Sequence, residues 1–244
     1  MQFTTGCGIT YQPSLLVARP PGDEPDESLP VADIPAAGTV SAAQSTPSLA
    51  AHCQPGTRFP SHTVLGQADA RPWTLHHKMP SDGRFRLVVF GGDVSDASQR
   101  ARVNDFGAWV RTALLPRFGT LRPCGGADPH GATLRFRTAR APSLVDVLLV
   151  HAAPRDAVEP LRDLDEAYRP FDARLGWEYD KVFVDAPSHH EGDGEAYRRY
   201  GVDRARGAVV LVRPDGYVGL VVEVGREAQA EVERWFDGVL TRVP

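Results

Sequence analysis

Unbroken apolar runs of strand length give the chain its clearest pattern. Two of them, Ala208–Val212 and Val218–Val224, are separated only by residues 213–217. Pro214 fixes φ for the first central position of a turn, and the following Asp-Gly pair tolerates unusual φ values. The pattern therefore predicts an antiparallel hairpin. Because its strands are apolar almost throughout, both of their faces are expected to be covered.

Further apolar runs predict the remaining strands of a sheet. Phe85–Phe90, Leu144–Val150 and Lys181–Asp185 have the length and the β-branched content of buried strands. A weaker strand pair is predicted around Thr63–Leu65 and Trp73–His76. These runs lie far apart in the chain, so the segments between them must supply the connections.

Between and after these strands, apolar residues recur at helical spacing. The first helix is expected to begin after Asp96, an N-cap residue type, and to end near Pro116. A second helix is expected over 161–171, a short one over Glu191–Tyr200, and a last one from about Glu227. The helical stripes are Val103, Phe106, Val110, Ala113 and Leu114; Leu161, Leu164, Tyr168 and Phe171; and Val232, Trp235, Phe236, Val239 and Leu240.

The order of these elements, β-α-β-α-β-α-β-β-α, predicts the fold class. Strands that alternate with helices pair in parallel through right-handed crossovers, and the terminal hairpin adds antiparallel strands. The expected structure is a mixed sheet with helices on both faces, which is the thioredoxin-like arrangement.

The N-terminal quarter of the chain has a different composition. Residues 1–18 are short and mixed, while residues 19–54 are rich in Pro, Ala and Ser and nearly free of aromatics. Such a segment buries too little apolar surface to offset its ordering entropy, so residues 19–54 are predicted to be a mostly disordered linker. The folded domain is expected to comprise residues 55–244.

Composition and charge exclude several classes of protein. The 27 Lys and Arg against 31 Asp and Glu give a net charge of −4, without a basic stripe for nucleic acid. The apolar runs are shorter than the roughly 18 residues of a membrane helix. Cys7, Cys53 and Cys124 are too few for a disulfide framework, and the start lacks a secretory signal. A cytoplasmic location is expected.

Several short motifs offer candidate chemistry, each with a simpler interpretation beside it. Gly6-Cys7-Gly8 lacks the third glycine and the preceding strand of a nucleotide-binding loop. The cluster His189-His190-Glu191 with Asp193 contains metal-ligand types, but adjacent histidines point in different directions. A solvated loop or helix cap is favoured there, and surface or half-buried side chains at His76-His77. None of these motifs is assigned as a site.

Two further candidates concern a thiol and a pair of aromatic residues. Cys124 has no evident base beside it, which a nucleophilic thiol needs. Trp235-Phe236 on the last helix is typical of a core, although one of the two rings facing outwards would mark an interface. Catalytic, cofactor-binding and metal-binding residues are therefore all predicted to be absent.

Six motifs, ordered along the chain, carry a family resemblance: PGTRFP at 55–60, Gln67-Ala68-Asp69, Leu75-His76, SDGRFRLVVFGGD at 81–93, Tyr197–Asp203 and VVLVRPDGYVGLV at 209–221. Together they resemble the C-terminal domain of the flavin-dependent phenol 2-monooxygenases, or phenol hydroxylases, a thioredoxin-like module associated with dimer formation. The resemblance covers residues 55–242. Residues 3–17 are similar to the segment that leaves the flavin and substrate domains of such enzymes, so residues 1–18 are interpreted as a remnant of it.

The resemblance implies a function without a catalytic site in this chain. In the family, upstream domains bind FAD, accept hydride from NADPH and hydroxylate a phenol through a flavin hydroperoxide. No G-x-G-x-x-G motif is present here, and Gly92-Asp93, which is similar to a second flavin motif, is interpreted as a strand-end turn. The leading hypothesis is a non-catalytic module that forms a homodimer or docks onto a flavin monooxygenase body.

Two alternatives belong to other classes. The first is a fragment of an FAD- and NADPH-dependent aromatic-ring monooxygenase whose catalytic domains are missing from this chain, either by truncation or because another gene encodes them. The second is a thiol oxidoreductase, but the segment Gly91–Ala97, where thioredoxins place Cys-x-x-Cys, has no cysteine. Gly207 stands where those proteins keep a cis-proline. The thiol hypothesis is therefore disfavoured.

Overall fold

The computed structural model describes residues 8–22, 43–118, 143–173, 175–189, 192 and 194–240. The strands are β1 (Thr63–Gly66), β2 (Pro72–Thr74), β3 (Phe85–Gly92), β4 (Val145–His151), β5 (Phe171–Asp172), β6 (Gly176–Trp177), β7 (Val182–Val184), β8 (Ala208–Val212) and β9 (Val218–Val222). The helices are α1 (Ala97–Trp109), α2 (Leu115–Phe118), α3 (Pro160–Asp163), α4 (Ala196–Tyr200) and α5 (Arg226–Val239), with a π-helical turn at Val110–Leu114 and 3₁₀ turns at Pro47–Leu49, Leu75–Lys78, Arg155–Ala157 and Glu166–Tyr168.

Seven of the strands form one mixed sheet in the order β2-β1-β7-β4-β3-β8-β9. β3, β4 and β7 are parallel, whereas β8 and β9 pair antiparallel on one side and β1 and β2 on the other. The unit β3-α1-β4 followed by β8-β9-α5 is the predicted thioredoxin-like arrangement, and the predicted mixed sheet is confirmed.

Both faces of this sheet are covered. Along β3, Leu87 and Val89 belong to one core cluster, and Val88 and Phe90 belong to the other, as the alternation of a strand requires. The first cluster is covered by α1 and α5, and the second by α4 together with residues near Leu49. Helices on both faces, as predicted, account for strands that are apolar throughout.

The first helix starts where it was predicted to start and contains a π-helical turn before its end. The Asp96 carboxylate accepts a hydrogen bond from the Gln99 backbone N–H at 2.9 Å, which is an N-cap. It ends close to the predicted Pro116: a π-helical turn leads into α2, which ends two residues later at Phe118. Phe118 packs against Phe236 of α5 with ring centroids 5.2 Å apart. This contact holds the end of the helix on the core.

The predicted second helix over 161–171 is wrong. Leu164 and Tyr168 are buried as the stripe requires, but the segment divides into α3, a 3₁₀ turn and β5. The Asp165 carboxylate accepts a hydrogen bond from the Ala167 N–H at 2.8 Å and so begins the separate 3₁₀ turn. Phe171, the last residue of the stripe, is 58% exposed.

The short helix predicted from Glu191 begins only at Ala196.

The predicted linker over 19–54 is also wrong for residues 43–54. Ala43, Ser45 and Leu49 are fully buried, and the Thr46 N–H donates to the Val221 carbonyl of β9 at 2.7 Å. We call residues 14–19 and 43–50 the N-terminal strap, because they lie along β9 and cover its outer edge. Average polarity misled the prediction, since a few small apolar residues and backbone hydrogen bonds suffice to order this segment. Residues 23–42 lie outside the described residues.

Candidate functional site

The carboxyl ends of the three parallel strands converge at one edge of the sheet. Gly92 of β3 pairs with His151 of β4, and the Asp185 N–H, just after β7, donates to the His151 carbonyl at 2.8 Å. α1 begins close by, after Asp96. Open α/β sheets bind ligands at such strand ends. This strand-end region is therefore the first candidate for a ligand-binding or catalytic site.

Tyr197 of α4 ties two of these strand ends together. Its hydroxyl donates to the Val150 carbonyl at 2.8 Å and accepts a hydrogen bond from the Gly92 N–H at 2.7 Å. The ring is buried, and burial raises the pKa of Tyr197 far above its usual value. The hydroxyl therefore stays protonated. Its donor and its acceptor capacity are both used by backbone groups.

Asp185 is likewise occupied by the fold. Its buried carboxylate accepts hydrogen bonds from the Ala196 N–H at 2.7 Å and the Tyr197 N–H at 3.1 Å. The Arg204 guanidinium adds an ion pair at 2.8 Å. These contacts satisfy the free N–H groups at the start of α4. The carboxylate thus fixes the position of Tyr197.

His151 is a neutral, buried histidine. Its Nε2 lies 3.0 Å from Gln67 Oε1. Because Gln67 Nε2 donates to the carbonyls of Arg155 and Val158, its Oε1 is the acceptor, and His151 Nε2 carries the proton. Burial lowers the pKa of His151 to about 4. The imidazole thus holds the loop after β1 against β4.

The positions that correspond to the dithiol site of thioredoxins have a structural role in this chain. In the segment 91–97, Asp93 accepts a hydrogen bond from the Ser95 N–H at 3.0 Å. Gly92 has φ of 69°, and a Cβ there would lie 2.4 Å from the Arg204 carbonyl oxygen, which confirms the predicted strand-end turn. Gly207, at the place of the cis-proline, has φ of 68°, and a Cβ there would lie 2.5 Å from the Phe90 carbonyl oxygen. Only glycine fits this approach.

A flavin pyrophosphate does not fit the start of α1. An anion bound at a helix N-terminus needs free N–H groups and favourable charge. Here the Asp96 carboxylate already accepts from the Gln99 N–H, and Asp93 adds a second carboxylate beside it. The Gly92 N–H is occupied by Tyr197. The strand-turn-helix of β3 and α1 therefore does not form a dinucleotide site.

Those remaining sequence candidates that the structure describes lie in separate places. Burial raises the pKa of the Cys53 thiol far above its usual value, and His76 Nε2 lies 3.0 Å from the Phe59 carbonyl oxygen. His189 is exposed. Gly6, Cys7, Cys124, His190, Glu191 and Asp193 lie outside the described residues. Within the described ranges, no group of His, Cys, Asp or Glu side chains is placed to hold a metal ion, and no helix is long and apolar enough to cross a bilayer.

The exposed aromatic surface lies elsewhere than the last helix. Trp235 and Phe236 are both fully buried, so neither faces outwards, and the interface role considered for one of them is wrong. Instead, Phe171 (58% exposed), Leu175 (55%) and Tyr179 (44%) lie close together along the chain. We call β5, β6, Leu175 and Tyr179 the aromatic hairpin. Sequence reasoning placed Phe171 in a helical core stripe and therefore missed this surface.

A groove of about 700 Å³ lies beside the aromatic hairpin. Phe171 and Trp177 form one wall, with ring centroids 4.9 Å apart, and the Arg169 guanidinium lies 4.6 Å from the Trp177 ring centroid. The other lining residues include Leu115, Val145, Ala167, Pro170, Arg84, Arg111, Asp146, Glu166 and Glu178. The groove combines apolar walls with charges of both signs.

A buried charge cluster holds one end of the groove. Asp146 lies 2.8 Å from Lys181 Nζ, 3.2 Å from Arg86 Nε and 3.5 Å from Arg84 Nη1. Burial opposes the ionisation of Asp82, but hydrogen bonds from Arg84 and Arg86 outweigh it and lower the pKa of Asp82 to about 2. Removing one partner would leave an uncompensated buried charge. These charged side chains therefore hold one another in place at this end of the groove.

The fold and the strand-end region define a thioredoxin-like domain in which the dithiol and cis-proline positions serve as structural turns. The sequence matches the phenol hydroxylase C-terminal dimerisation domain over residues 9–243, and the chain belongs to this family.

The curated relatives agree with this assignment. The chain is 32% identical over 238 residues to a phenol 2-monooxygenase of Aspergillus fumigatus, covering 98% of this chain and 32% of that protein. It is 28% identical over 223 residues to an FAD-dependent monooxygenase of Aspergillus terreus, covering 91% of this chain and 30% of that protein. A thioredoxin domain of a thiol-disulfide oxidoreductase from Bacteroides vulgatus aligns with a TM-score of 0.42 and 12% identity, covering 74% of this chain and 96% of that one. The chain thus spans about a third of the length of the curated relatives it matches.

Proposed function

We propose that this chain is a self-association module that pairs two copies of a flavin monooxygenase subunit and performs no redox chemistry itself. The observation that carries the proposal is the match to a dimerisation domain over residues 9–243. The strand-end region supports it, because Tyr197 and Asp185 are committed to hydrogen bonds that maintain the fold, and His151 Nε2 is held by Gln67.

FAD and NADPH belong, in this proposal, to the flavin-binding part of a parent enzyme. One relative is named as an FAD-dependent monooxygenase, and this chain covers only 30% of its length. The start of α1 does not suit a pyrophosphate, since Asp93 and Asp96 place two carboxylates there. The domain would then contribute to hydroxylation only by holding two such bodies together.

The test is the mass of the purified 244-residue chain in solution. Light scattering behind size exclusion, across a concentration series at low and moderate salt, is expected to show a dimer that dissociates on dilution. The net charge of only −4 gives weak long-range repulsion between two copies. A monomer at every concentration, up to high micromolar, would contradict the proposal.

A further inference from the structure

Neither edge of the main sheet is suited to pairing with a second chain. On the β9 edge, the Gly219 carbonyl accepts from the Ala18 N–H at 2.8 Å, and the Val221 carbonyl accepts from the Thr46 N–H at 2.7 Å. The opposite edge, β2, is only three residues long and begins with Pro72. Short edge strands with proline resist further pairing. Association must therefore use side chains.

The aromatic hairpin is the apolar surface best placed for this role. Among the described residues, six large hydrophobic side chains are exposed, and the two most exposed, Phe171 and Leu175, belong to it. Single exposed apolar residues are ordinary, but a contiguous patch marks an interaction site. The cation over Trp177 adds an arginine, a residue type that is enriched with aromatics at interface centres.

The hairpin and the groove lie side by side on the same chain, since Phe171 and Trp177 line the groove. A two-fold contact requires one patch to be complementary to itself. A hairpin next to a hollow of about 700 Å³ can meet this requirement, because the hairpin of each copy can face the groove of the other. Arg111, which is ion-paired with Asp165 of its own chain, and Glu166 give the rim charges of both signs, which suits contact with an identical rim.

The area is of the right order for such a contact. A specific interface buries about 800 Å² on each partner, and an aromatic side chain contributes roughly 150–250 Å². Phe171 and Tyr179, which are 58% and 44% exposed, can each contribute the exposed part of that area to one partner's share. The groove walls around Leu115 and the polar rim add to this share.

We propose that the aromatic hairpin of one copy lies in the groove of a second copy, and that the second copy's hairpin lies in the groove of the first. This inference rests on the proposed function and assigns the surface through which self-association occurs.

The experiment uses the full chain with one substitution on each side of the contact. Leu175→Asp places a carboxylate on the exposed part of the hairpin, and Ala167→Arg fills the groove with a guanidinium. Each is expected to raise the dimer dissociation constant, measured by sedimentation velocity, by about 30-fold or more, as central interface positions do. Leu16→Asp, a matched control at an exposed residue of the strap, should change it by less than about 3-fold.

Mixing the two variants distinguishes reciprocal seating from simple damage. One contact of the mixed dimer retains a wild-type hairpin and groove, and the other pairs the introduced aspartate with the introduced arginine. An equimolar mixture is therefore expected to recover association to within about 5-fold of wild type. Near-UV circular dichroism of each variant confirms the native fold. Amide hydrogen exchange should show protection of Leu175 and Trp177 above the dissociation constant.

The outcomes separate this inference from the proposed function. A wild-type dimer that Leu175→Asp leaves intact overturns the inference alone, as does loss of association without recovery in the mixture. Concentration-dependent protection at β2 or at the strap, and not at the hairpin, also overturns it. A wild-type chain that stays monomeric, as expected if the hairpin faces a flavin-binding body, overturns the inference and the proposed function together.

Discussion

Buried polar side chains in this domain connect backbone segments that lie far apart in the chain. The Tyr197 hydroxyl joins Gly92 to Val150, and the Gln67–His151 pair joins the loop after β1 to β4. In each case the partner is backbone or another buried side chain. Tyr197 and His151 are kept in their neutral forms by burial, which raises the pKa of Tyr197 and lowers the pKa of His151. Their polar groups serve to position strands.

His151 should make the stability of the domain depend on pH. Its pKa is about 4 when folded and near 6.5 when unfolded. Between these values the unfolded chain binds a proton that the native state excludes, so acidification favours unfolding. This contribution is fully present above about pH 6.5 and falls by about 1.4 kcal/mol per unit as the pH drops towards 4. Urea unfolding should show that the contribution of His151 to the free energy of unfolding falls by about 2 kcal/mol between pH 7 and pH 5.

The matched variant for this measurement is His151→Gln, which cannot titrate. Its own stability will differ from wild type, so the quantity compared is the change between the two pH values. The other histidines, such as His76, are present in both proteins, so their contributions to the pH dependence cancel in this comparison. An identical pH dependence in wild type and variant would show that His151 does not remain neutral in the folded state.

At the scale of elements, the N-terminal strap completes the sheet. Val17 and Ala18 are buried against the domain, and the Ser45 hydroxyl donates to the Val221 carbonyl and accepts from the Val221 N–H, both at 2.9 Å. Together with Thr46, these residues satisfy the outer edge of β9. An edge strand left open would be a template for aggregation. The strap is thus part of the folded unit.

Adjacent residues of the strap allow a direct test. Val17→Asp puts an unpaired carboxylate into a site that is 1% exposed, and it should lower the free energy of unfolding by about 3 kcal/mol or more. Leu16→Asp changes the neighbouring side chain, which is 37% exposed, and should cost less than about 1 kcal/mol. Chemical denaturation followed by far-UV circular dichroism measures both. Equal losses would mean that the strap does not dock as described.

At the scale of the whole molecule, the active-site end of the thioredoxin-like fold serves structure, and the exposed apolar surface lies elsewhere. The strand-end region is filled by Tyr197, Asp185 and His151. The aromatic hairpin and the groove lie beside the buried charge cluster of Asp146, near the opposite ends of β3 and β4. Surfaces rather than a cofactor pocket therefore carry the proposed function.

The purified chain is expected to be colourless and to leave NADPH unoxidised when a phenol and FAD are supplied. The reason is the start of α1, where Asp96 and Asp93 oppose a pyrophosphate. Visible absorption after gel filtration with excess FAD is the measurement, with a full-length flavin monooxygenase as the positive control. Stoichiometric FAD that stays with the chain would contradict this.

Local patterns in the sequence were enough to predict the main sheet, the first and last helices and the family. Strands β3, β4, β8 and β9 are long apolar runs, and the Pro-Asp-Gly turn is a local signal, so no tertiary information is needed to find them. The same holds for the missing dithiol at 91–97. The sequence also located Gly207, because the position follows from the hairpin. Each of these inferences depends on neighbouring residues alone.

Which surfaces are covered, in contrast, depends on contacts that form only in the folded chain. Phe171 and Tyr168 share one helical stripe in the sequence, but Tyr168 is buried and Phe171 is exposed, since Asp165 interrupts the helix between α3 and β5. The strap is ordered because its backbone N–H groups donate to carbonyls of β9, and the composition of the segment gives no information about such contacts. Contacts between distant segments, such as Tyr197 with Gly92, have no local signature, because burial depends on what lies across the fold.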